Sequence, residues 1–209
     1  MQTLAAHNSR IAGLSTLATT IPGRIVTGLA ATVVVAAASH VAIPLPFTPV
    51  PLTLQPLAVL GVGLALGPIS GFLTMLAYLA EGALGLPVFS PTGPGGVAQL
   101  FGFTGGYLMA YPLVAAIAGG LSQRFSAWVP RFLAAFAGCS VAITLLFVCG
   151  ASWLRHLTHL SLHDTWIASV APFLPLEIVK ILIAAGIYGS LARSKRILPV
   201  DDSPLPNRN

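Results

Sequence analysis

The sequence predicts an all-α, polytopic membrane protein in which six transmembrane helices form one bundle. Two observations carry this prediction: 56% of the 209 residues are hydrophobic and only 7% are charged, and the apolar residues fall into six segments. Soluble domains carry about 25% charged residues, and the mean hydropathy of this chain is +0.88. One crossing of the hydrocarbon core takes about 20 residues, so the length suits six spans in a single membrane domain.

The six apolar segments are residues 25–43, 54–67, 69–87, 104–122, 131–152 and 168–192. Gly67 and Pro68 predict a tight turn between the second and third segments. The second segment is short, which predicts a helix that is tilted or partly buried. Residues 91–106 are too rich in glycine and proline for a continuous helix and are predicted to form a loop.

These segments divide the chain into an N-terminal segment 1–24, a six-helix membrane domain 25–193 and a flexible tail 194–209. With six spans, both termini lie on one side of the membrane. Arg155 alone falls on the other side, whereas these basic residues fall on the side of the termini: Arg10, Arg24, Arg124, Arg131, Arg193, Lys195, Arg196 and Arg208. The positive-inside rule makes the side of the termini cytoplasmic. The same scatter of basic residues near span ends argues against nucleic-acid binding, despite the net charge of +5.

The stretch "IPLPFTPVPLTLQP", residues 43–56, is apolar but carries five prolines, which forbid a helix. It is predicted to lie on the outer side, between the first two spans. Because uncovered non-helical backbone is not tolerated in hydrocarbon, we expect the stretch to fold back over the bundle. It would then be either a rigid lid over a pocket or a plain connector whose prolines stop two helices.

Three ionisable residues fall inside predicted spans: Glu81, Glu177 and Lys180. Each costs roughly 2.5–3.5 kcal/mol at a helix centre, so each requires a reason. Glu177 and Lys180 are three residues apart and share a helix face, one to two turns below the outer surface. They form either a self-satisfied ion pair or a polar site for a ligand. Glu81 could approach Lys180, extend to the membrane surface, or contact a ligand.

Other polar residues leave more than one interpretation open. Gln55 and Tyr107 lie at outer loop edges, where they could anchor loops or contact a ligand. His156, His159 and His163 could share a helical face and bind a metal, or they could be ordinary histidines of the membrane interface.

Two cysteines, Cys139 and Cys149, lie on one predicted helix. Ten residues separate them by about 15 Å along that helix, whereas a disulfide needs Cα atoms within about 7 Å. They are therefore predicted not to pair.

The sequence also lacks the phosphate-binding motif G-x-x-x-x-G-K-[ST] and the hydrolase motifs H-E-x-x-H and G-x-S-x-G. We therefore predict neither an enzyme nor a resident cofactor, and any transport would take its energy from another protein.

Four segments together resemble a known family: "IPLPFTPVPLTLQ", "GLPVFS" after the third span, "FTGGYLMAYPLVA" entering the fourth, and "PFLPLEIVK" opening the sixth. From about Arg24 to Arg193 the chain resembles the BioY family, the biotin-specific S components of energy-coupling factor (ECF) transporters. The resemblance implies a six-helix bundle in the inner membrane of a prokaryote that captures biotin from outside. It also implies three partner subunits, a transmembrane coupling protein and two ATPases, in addition to the surrounding lipids.

The resemblance also suggests which residues hold the ligand. The family motif Pro-x-Asp-x-x-Lys corresponds to Pro175, Glu177 and Lys180, with an acid one methylene longer. The ureido ring of biotin has two N–H donors and one carbonyl acceptor, which a carboxylate and an ammonium could satisfy. The valeryl carboxylate could bind at the helix start near Gly105 and Gly106, or at Lys180. Glu81 has no matching family role.

A docking face for the coupling protein would need close helix approach. Gly28, Thr32 and Ala36 lie at four-residue spacing on the first span, and such small-residue faces let membrane helices pack tightly. Packing inside the bundle is the alternative for the same three residues.

Overall fold

The structure is a computed structural model that describes residues 20–194. The predicted cytoplasmic segment before residue 20 and the predicted tail after residue 194 lie outside the described residues. The described elements are α1 (Ile21–His40), β1 (Ala42–Ile43), β2 (Leu52–Thr53), α2 (Gln55–Leu66), α3 (Pro68–Ala83), α4 (Gly96–Phe101), α5 (Gly105–Phe125), α6 (Arg131–Thr158), α7 (Leu162–Ser169) and α8 (Leu174–Ser194).

The chain folds as a helical bundle, as predicted, and each long helix overlaps a predicted apolar segment, although several helix ends differ. Within residues 20–194, four helices are long and apolar enough to cross a membrane: α1, α5, α6 and the Leu174–Leu191 part of α8. α2 is apolar but has only 12 residues, and α3 has 16, so six crossings remain a prediction. The short α2 is largely buried, with Val59 and Leu60 fully inaccessible, which confirms that its length reflects a place inside the bundle.

The core forms around α5, which packs most extensively on α6 and also contacts α2 and α3. Small residues let these backbones approach closely. A Cβ atom at Gly63 of α2 would overlap the carbonyl group of Ala115 on α5, and one at Gly119 would overlap the carbonyl oxygen of Gly63. Close packing of this kind replaces the hydrophobic driving force that membrane helices lack.

α1 lies at the edge of the bundle. Only one face of it is buried, through Thr32, Val35 and Ser39, which pack against the rest of the protein. The other face exposes large apolar side chains to the surroundings, including Val26 and Val33, each more than 60% exposed. A helix that is apolar on both faces yet covered on one is suited to a lipid or protein environment.

Two predicted segments differ from the structure. The predicted sixth span, residues 168–192, begins instead at Leu174, and α7 precedes it as a separate helix. The break falls at residues 170–173, next to Pro172, because proline removes a backbone donor and restricts the residue before it. The loop predicted at residues 91–106 contains the six-residue α4.

α6 is also longer than predicted. It runs to Thr158 and has 28 residues, or about 42 Å at 1.5 Å per residue, whereas the hydrocarbon core is about 30 Å thick. The helix is therefore longer than one perpendicular crossing requires. Its C-terminal turns, which carry Arg155 and His156, lie at the same end of the bundle as the β1–β2 hairpin, which we call the hairpin end. As predicted, both cysteines lie on α6 and are free.

Candidate functional site

A narrow cavity of about 560 Å³, opening included, lies beneath the proline stretch at the hairpin end of the bundle. Its wall is mostly apolar and aromatic with a few polar groups, which is typical of small-molecule sites. The lining residues are Val50, Pro51, Thr53, Gln55, Pro56, Ser90, Gln99, Thr104, Tyr107, Leu108, Tyr111, Leu146, Phe147, Phe173 and Glu177.

The proline stretch is a hairpin that covers this cavity. Ala42 pairs with Thr53 and Ile43 with Leu52 in an antiparallel ladder, and these pairs close the loop 44–51. The hydroxyl of Thr48 donates to the carbonyl of Ala168 at 2.5 Å, which fixes the loop across the bundle to the end of α7. Of the two sequence interpretations, the geometry favours the lid over the plain connector.

Glu177 and Lys180 form a buried ion pair beside the cavity. Glu177 is 4% and Lys180 2% exposed. Lys180 Nζ donates to Glu177 Oε1 at 2.5 Å and to the carbonyl of Thr53 at 2.6 Å. The ammonium group thus joins α8 to the second strand of the hairpin, and it lies behind the cavity wall, whereas Glu177 lines the cavity.

The second carboxylate oxygen, Glu177 Oε2, is buried and has no hydrogen-bond partner within the described residues. A buried acceptor without a donor costs about 1–3 kcal/mol, and more when it is charged. Within the described residues, the protein therefore supplies a hydrogen-bond donor to one carboxylate oxygen of Glu177 but none to the other. An N–H or O–H group of a ligand in the cavity would complete it.

Gln55 lines the same cavity, and its side-chain amide is held in place by a hydrogen bond to Tyr78. Gln55 Nε2 donates to the hydroxyl of Tyr78 at 2.7 Å, and that hydroxyl donates to the carbonyl of Val88 at 2.6 Å. The chain of bonds ties the start of α2 to α3 and to the loop that follows it. Gln55 therefore both anchors a loop and faces the cavity, so the two sequence interpretations are compatible.

Tyr107 also lines the cavity, and its hydroxyl donates to the carbonyl of Ser169 at 2.7 Å. The neighbouring wall is formed by Tyr111, which the sequence analysis missed. The spacing of four residues places both rings on one face of α5, so the position of Tyr111 could have been predicted from that of Tyr107. Phe147 and Phe173 complete the wall from α6 and from the start of α8, and no local pattern could have linked residues so distant in sequence.

Gly105 and Gly106 do not line the cavity. The N–H of Gly105 already donates to the carbonyl of Gly102 at 3.0 Å. A Cβ atom at Gly106 would lie 2.7 Å from the Cys149 carbonyl oxygen and 2.9 Å from a ring carbon of Trp153. The two glycines thus let α5 pack closely on its neighbours.

The structure places Glu81 away from the cavity, on the side of α3 that faces α1. Its Oε1 accepts a hydrogen bond from the hydroxyl of Thr32 at 3.0 Å. Gly28 lies on the same face of α1, where a Cβ atom would be 3.2 Å from Thr74 Oγ1, and Ala36 packs against the core. The small-residue face therefore packs inside the bundle against α3.

The three histidines do not come together in the structure, and the metal-binding alternative finds no support. No group of three His, Cys, Asp or Glu side chains in the described residues 20–194 is arranged to hold a metal ion. The predicted common helix face does not exist because α6 ends at Thr158, and His159 adopts a left-handed conformation, φ 55°. His163 lies on α7 and pairs instead with the exposed Asp164, at 3.6 Å.

Comparison with known proteins agrees with this architecture. Residues 11–196 match the family model described as the BioY family. A "Probable biotin transporter BioY" from Pyrococcus horikoshii is 37% identical over 146 residues, covering 68% of this chain and 83% of the relative. A "Biotin transporter BioY" from Rhizobium etli is 34% identical over 169 residues, covering 77% of this chain and 88% of the relative.

A solved structure has the same fold. It is the S-component for biotin from an ECF-type ABC transporter, and it superposes with a TM-score of 0.74 at 24% identity, covering 81% of this chain and 90% of that one. The structural neighbour supports the helical arrangement, and the family model and the relatives supply the assignment at the level of sequence. The chain belongs to the BioY family.

Proposed function

We propose that this chain is a membrane-embedded substrate-binding subunit that captures biotin from outside the cell for uptake. Separate ATPase subunits supply the energy. The names of the relatives support the substrate. The observation that carries the proposal is the unpartnered Glu177 Oε2, buried in an apolar cavity under the hairpin.

The chemistry of biotin fits this acceptor. A ureido N–H donates to Glu177 Oε2, and the apolar bicyclic ring packs against the aromatic wall formed by Tyr111, Phe147 and Phe173. A hydrogen bond to a carboxylate is stronger than one between neutral groups. The cavity is closed on one side by the hairpin, so little water competes for the bond.

Lys180 contributes in a second way, because it orients the acid. Two of its three donors are directed to Glu177 Oε1 and to the Thr53 carbonyl, and the third is free to reach the ureido carbonyl if the hairpin shifts. The ammonium thus couples the position of the carboxylate to the position of the lid. Ligand contact by Lys180 and its role as an orienting group are both part of the proposal.

The valeryl carboxylate needs its own donor. Ser90 and Thr104 line the cavity from the loop after α3 and from the residue before α5. Their hydroxyls are the proposed donors in place of the Gly105 and Gly106 amides, which pack against α6. Glu81 has no proposed contact with biotin.

The proposed setting is the inner membrane of a prokaryote, with six crossings and both termini in the cytoplasm. The partners are a transmembrane coupling protein and the two ATPase subunits of an ECF module. The exposed apolar face of α1 is available for the coupling protein, while Gly28, Thr32 and Ala36 hold the helix against α3. A C-terminal green fluorescent protein fusion tests the topology: fluorescence is expected, and a dark but full-length fusion contradicts it.

The function itself is tested by titrating biotin into the purified chain in detergent, without ATP and with EDTA present. We expect saturable heat with one biotin per chain. Lys180→Ala should abolish this binding, whereas Leu182→Ala, at a 44% exposed residue of the same helix, should preserve it. Absence of heat together with absence of competition by biotin against a labelled analogue would eliminate the proposal.

A further inference from the structure

Two adjoining hollows lie on the outside of the bundle at the hairpin end, and neither shares a lining residue with the cavity under the hairpin. One is an apolar groove between α5 and α6, and the other is a basic cleft between the end of α6 and α7. Ser152 and His156 line both. The two hollows therefore adjoin each other, one with an apolar lining and the other with a basic lining.

The groove has a volume of about 830 Å³, opening included. Met109, Leu113, Cys149 and Trp153 supply its apolar surface. From Cys149 to His156 the groove follows seven residues of α6, or about 10 Å. The indole ring of Trp153 is held in place because its Nε1 donates to the carbonyl of Gly102 at 2.9 Å, while methionine adapts to irregular apolar partners.

The cleft has a volume of about 890 Å³, opening included, and its lining includes Arg155, His156 and His159 but no acidic residue. Arg155 uses Nε to donate to the carbonyl of Leu160 at 3.4 Å. Its terminal nitrogens have no hydrogen-bond partner among the described residues. The guanidinium of Arg155 is positively charged, and the two histidines add ring N–H donors, so a lining without an acid favours an anionic group.

Asp164 is an exposed acid on α7, the helix that forms one side of the cleft, but it is not among the lining residues. A hydrogen bond from Ser161, at 2.6 Å, holds the pKa of this carboxyl below its usual range. His163 pairs with the same carboxylate at 3.6 Å. Asp164 therefore contacts Ser161 and His163, and within the described residues no ion pair joins it to Arg155.

We propose that these hollows hold one anionic phospholipid, with an acyl chain in the groove and the phosphate in the cleft. The order of the two parts is that of a lipid: the groove is lined by apolar residues of α5 and α6, and the cleft lies at the polar C-terminal end of α6. Charge complementarity selects an anionic headgroup over a zwitterionic one. The site is separate from the biotin cavity and does not depend on the proposed function.

The test is native mass spectrometry of the purified full chain in detergent supplemented with dioleoylphosphatidylglycerol or dioleoylphosphatidylcholine. We expect one tightly retained phosphatidylglycerol, with about tenfold weaker retention of phosphatidylcholine. The double variant Arg155→Gln with His156→Gln should lose this preference. Arg124→Gln removes one charge at the other end of the bundle and should keep it.

Two controls sharpen the result. Glycerol 3-phosphate, added at the same concentration as the lipid, should not displace it, and its effective competition would mean a site for free phosphate instead. Met109→Ala with Leu113→Ala should weaken retention of both lipids equally by removing the groove surface. Equal retention of the two lipids by the unaltered chain, or unchanged preference in the Arg155 and His156 variant, would overturn the proposal. A monodisperse size-exclusion profile and a circular dichroism spectrum identical to those of the unaltered chain report that each variant is folded.

Discussion

The replacement of Glu177 by glutamine is the perturbation whose effect follows most directly from the geometry. Glutamine keeps the size and shape of the side chain but removes the charge and exchanges one oxygen for an NH₂ group. In the structure, Oε1 accepts from Lys180 Nζ, while Oε2 is buried without a partner in the described part of the chain and belongs to a residue that lines the cavity. Because the ammonium retains an oxygen as its acceptor, the NH₂ group points into the cavity, where a ureido N–H would meet a donor.

The magnitude follows from the lost bond. A hydrogen bond to a charged group contributes about 1.5–3 kcal/mol, and each 1.4 kcal/mol is a factor of about ten in affinity. Glu177→Gln is therefore expected to weaken biotin binding by about tenfold to 150-fold. The matched control is Glu81→Gln, the same substitution in another helix, where the carboxylate contacts Thr32. Its affinity for biotin should remain within about twofold of the unaltered chain.

The assay is isothermal titration calorimetry in detergent with biotin and with two analogues, each methylated at one ureido nitrogen. One analogue should bind the unaltered chain about as weakly as biotin binds Glu177→Gln. That analogue should lose little further affinity in the variant, because the same bond is already absent. The reasoning is refuted if Glu177→Gln binds biotin with an affinity within twofold of that of the unaltered chain. It is also refuted if, for both analogues, the loss of binding free energy in the variant equals the sum of the losses caused by the substitution alone and by the methyl group alone.

Three further predictions concern the ion pair, the lid and the helix packing. Glu177→Leu with Lys180→Met should fold with a similar Tm, since apolar pairs can replace buried ion pairs, yet bind no biotin; retained binding contradicts the site. Thr48→Val removes the bond from the lid to α7, worth about 1 kcal/mol, so stopped-flow mixing should show biotin leaving about fivefold faster, and an unchanged rate argues against a lid. Gly63→Leu should prevent recovery of folded, monodisperse protein in size-exclusion chromatography, whereas Gly61→Ala, whose Cβ meets nothing within 4 Å, should not; normal recovery of the leucine variant contradicts the packing account.

The helices could be predicted from the sequence because each long apolar segment has one stable arrangement in a membrane, an α-helix that satisfies its own backbone. The apolar pattern placed the start of the sixth span at residue 168, whereas α8 begins at Leu174, after Pro172. The separate α7 could not be predicted in the same way, because a short interfacial helix has neither the length nor the hydropathy of a span. Its N-cap, Ser161, which accepts from the N–H of Asp164, is a local signal that the apolar pattern conceals.

The part of the site that could be predicted is the pair of ionisable residues, because burying a charge in a membrane span costs free energy. Glu177 and Lys180 stood out because ionisable residues in a span require partners, and the structure brings both beside the cavity. The cost alone could not separate Glu177 from Glu81, whose partner Thr32 lies 49 positions earlier on another helix. Gly105 and Gly106 illustrate the same limit, because a glycine at a helix start serves anion binding or close packing, and only the neighbour Trp153 decides between them.

The histidines show how one residue changes an interpretation. The H-x₂-H-x₃-H spacing predicts a shared face only if the helix continues through all three, and the left-handed conformation of His159 ends it. The resulting change of direction places His156 and His159 in a cleft with Arg155 and sends His163 to Asp164. Helix ends are the least predictable part of a helix. Here the end of α6 at Thr158 determines which side chains line the cleft.

The central claim is that a buried carboxylate oxygen under a fixed hairpin accepts a hydrogen bond from the ureido ring of biotin. A structure of the purified chain determined with bound biotin tests it most directly. We expect the bicyclic ring beneath loop 44–51, with a ureido nitrogen about 2.7–3.2 Å from a Glu177 carboxylate oxygen. Biotin bound elsewhere on the protein, or bound in the cavity with both ureido nitrogens directed away from Glu177, would contradict it.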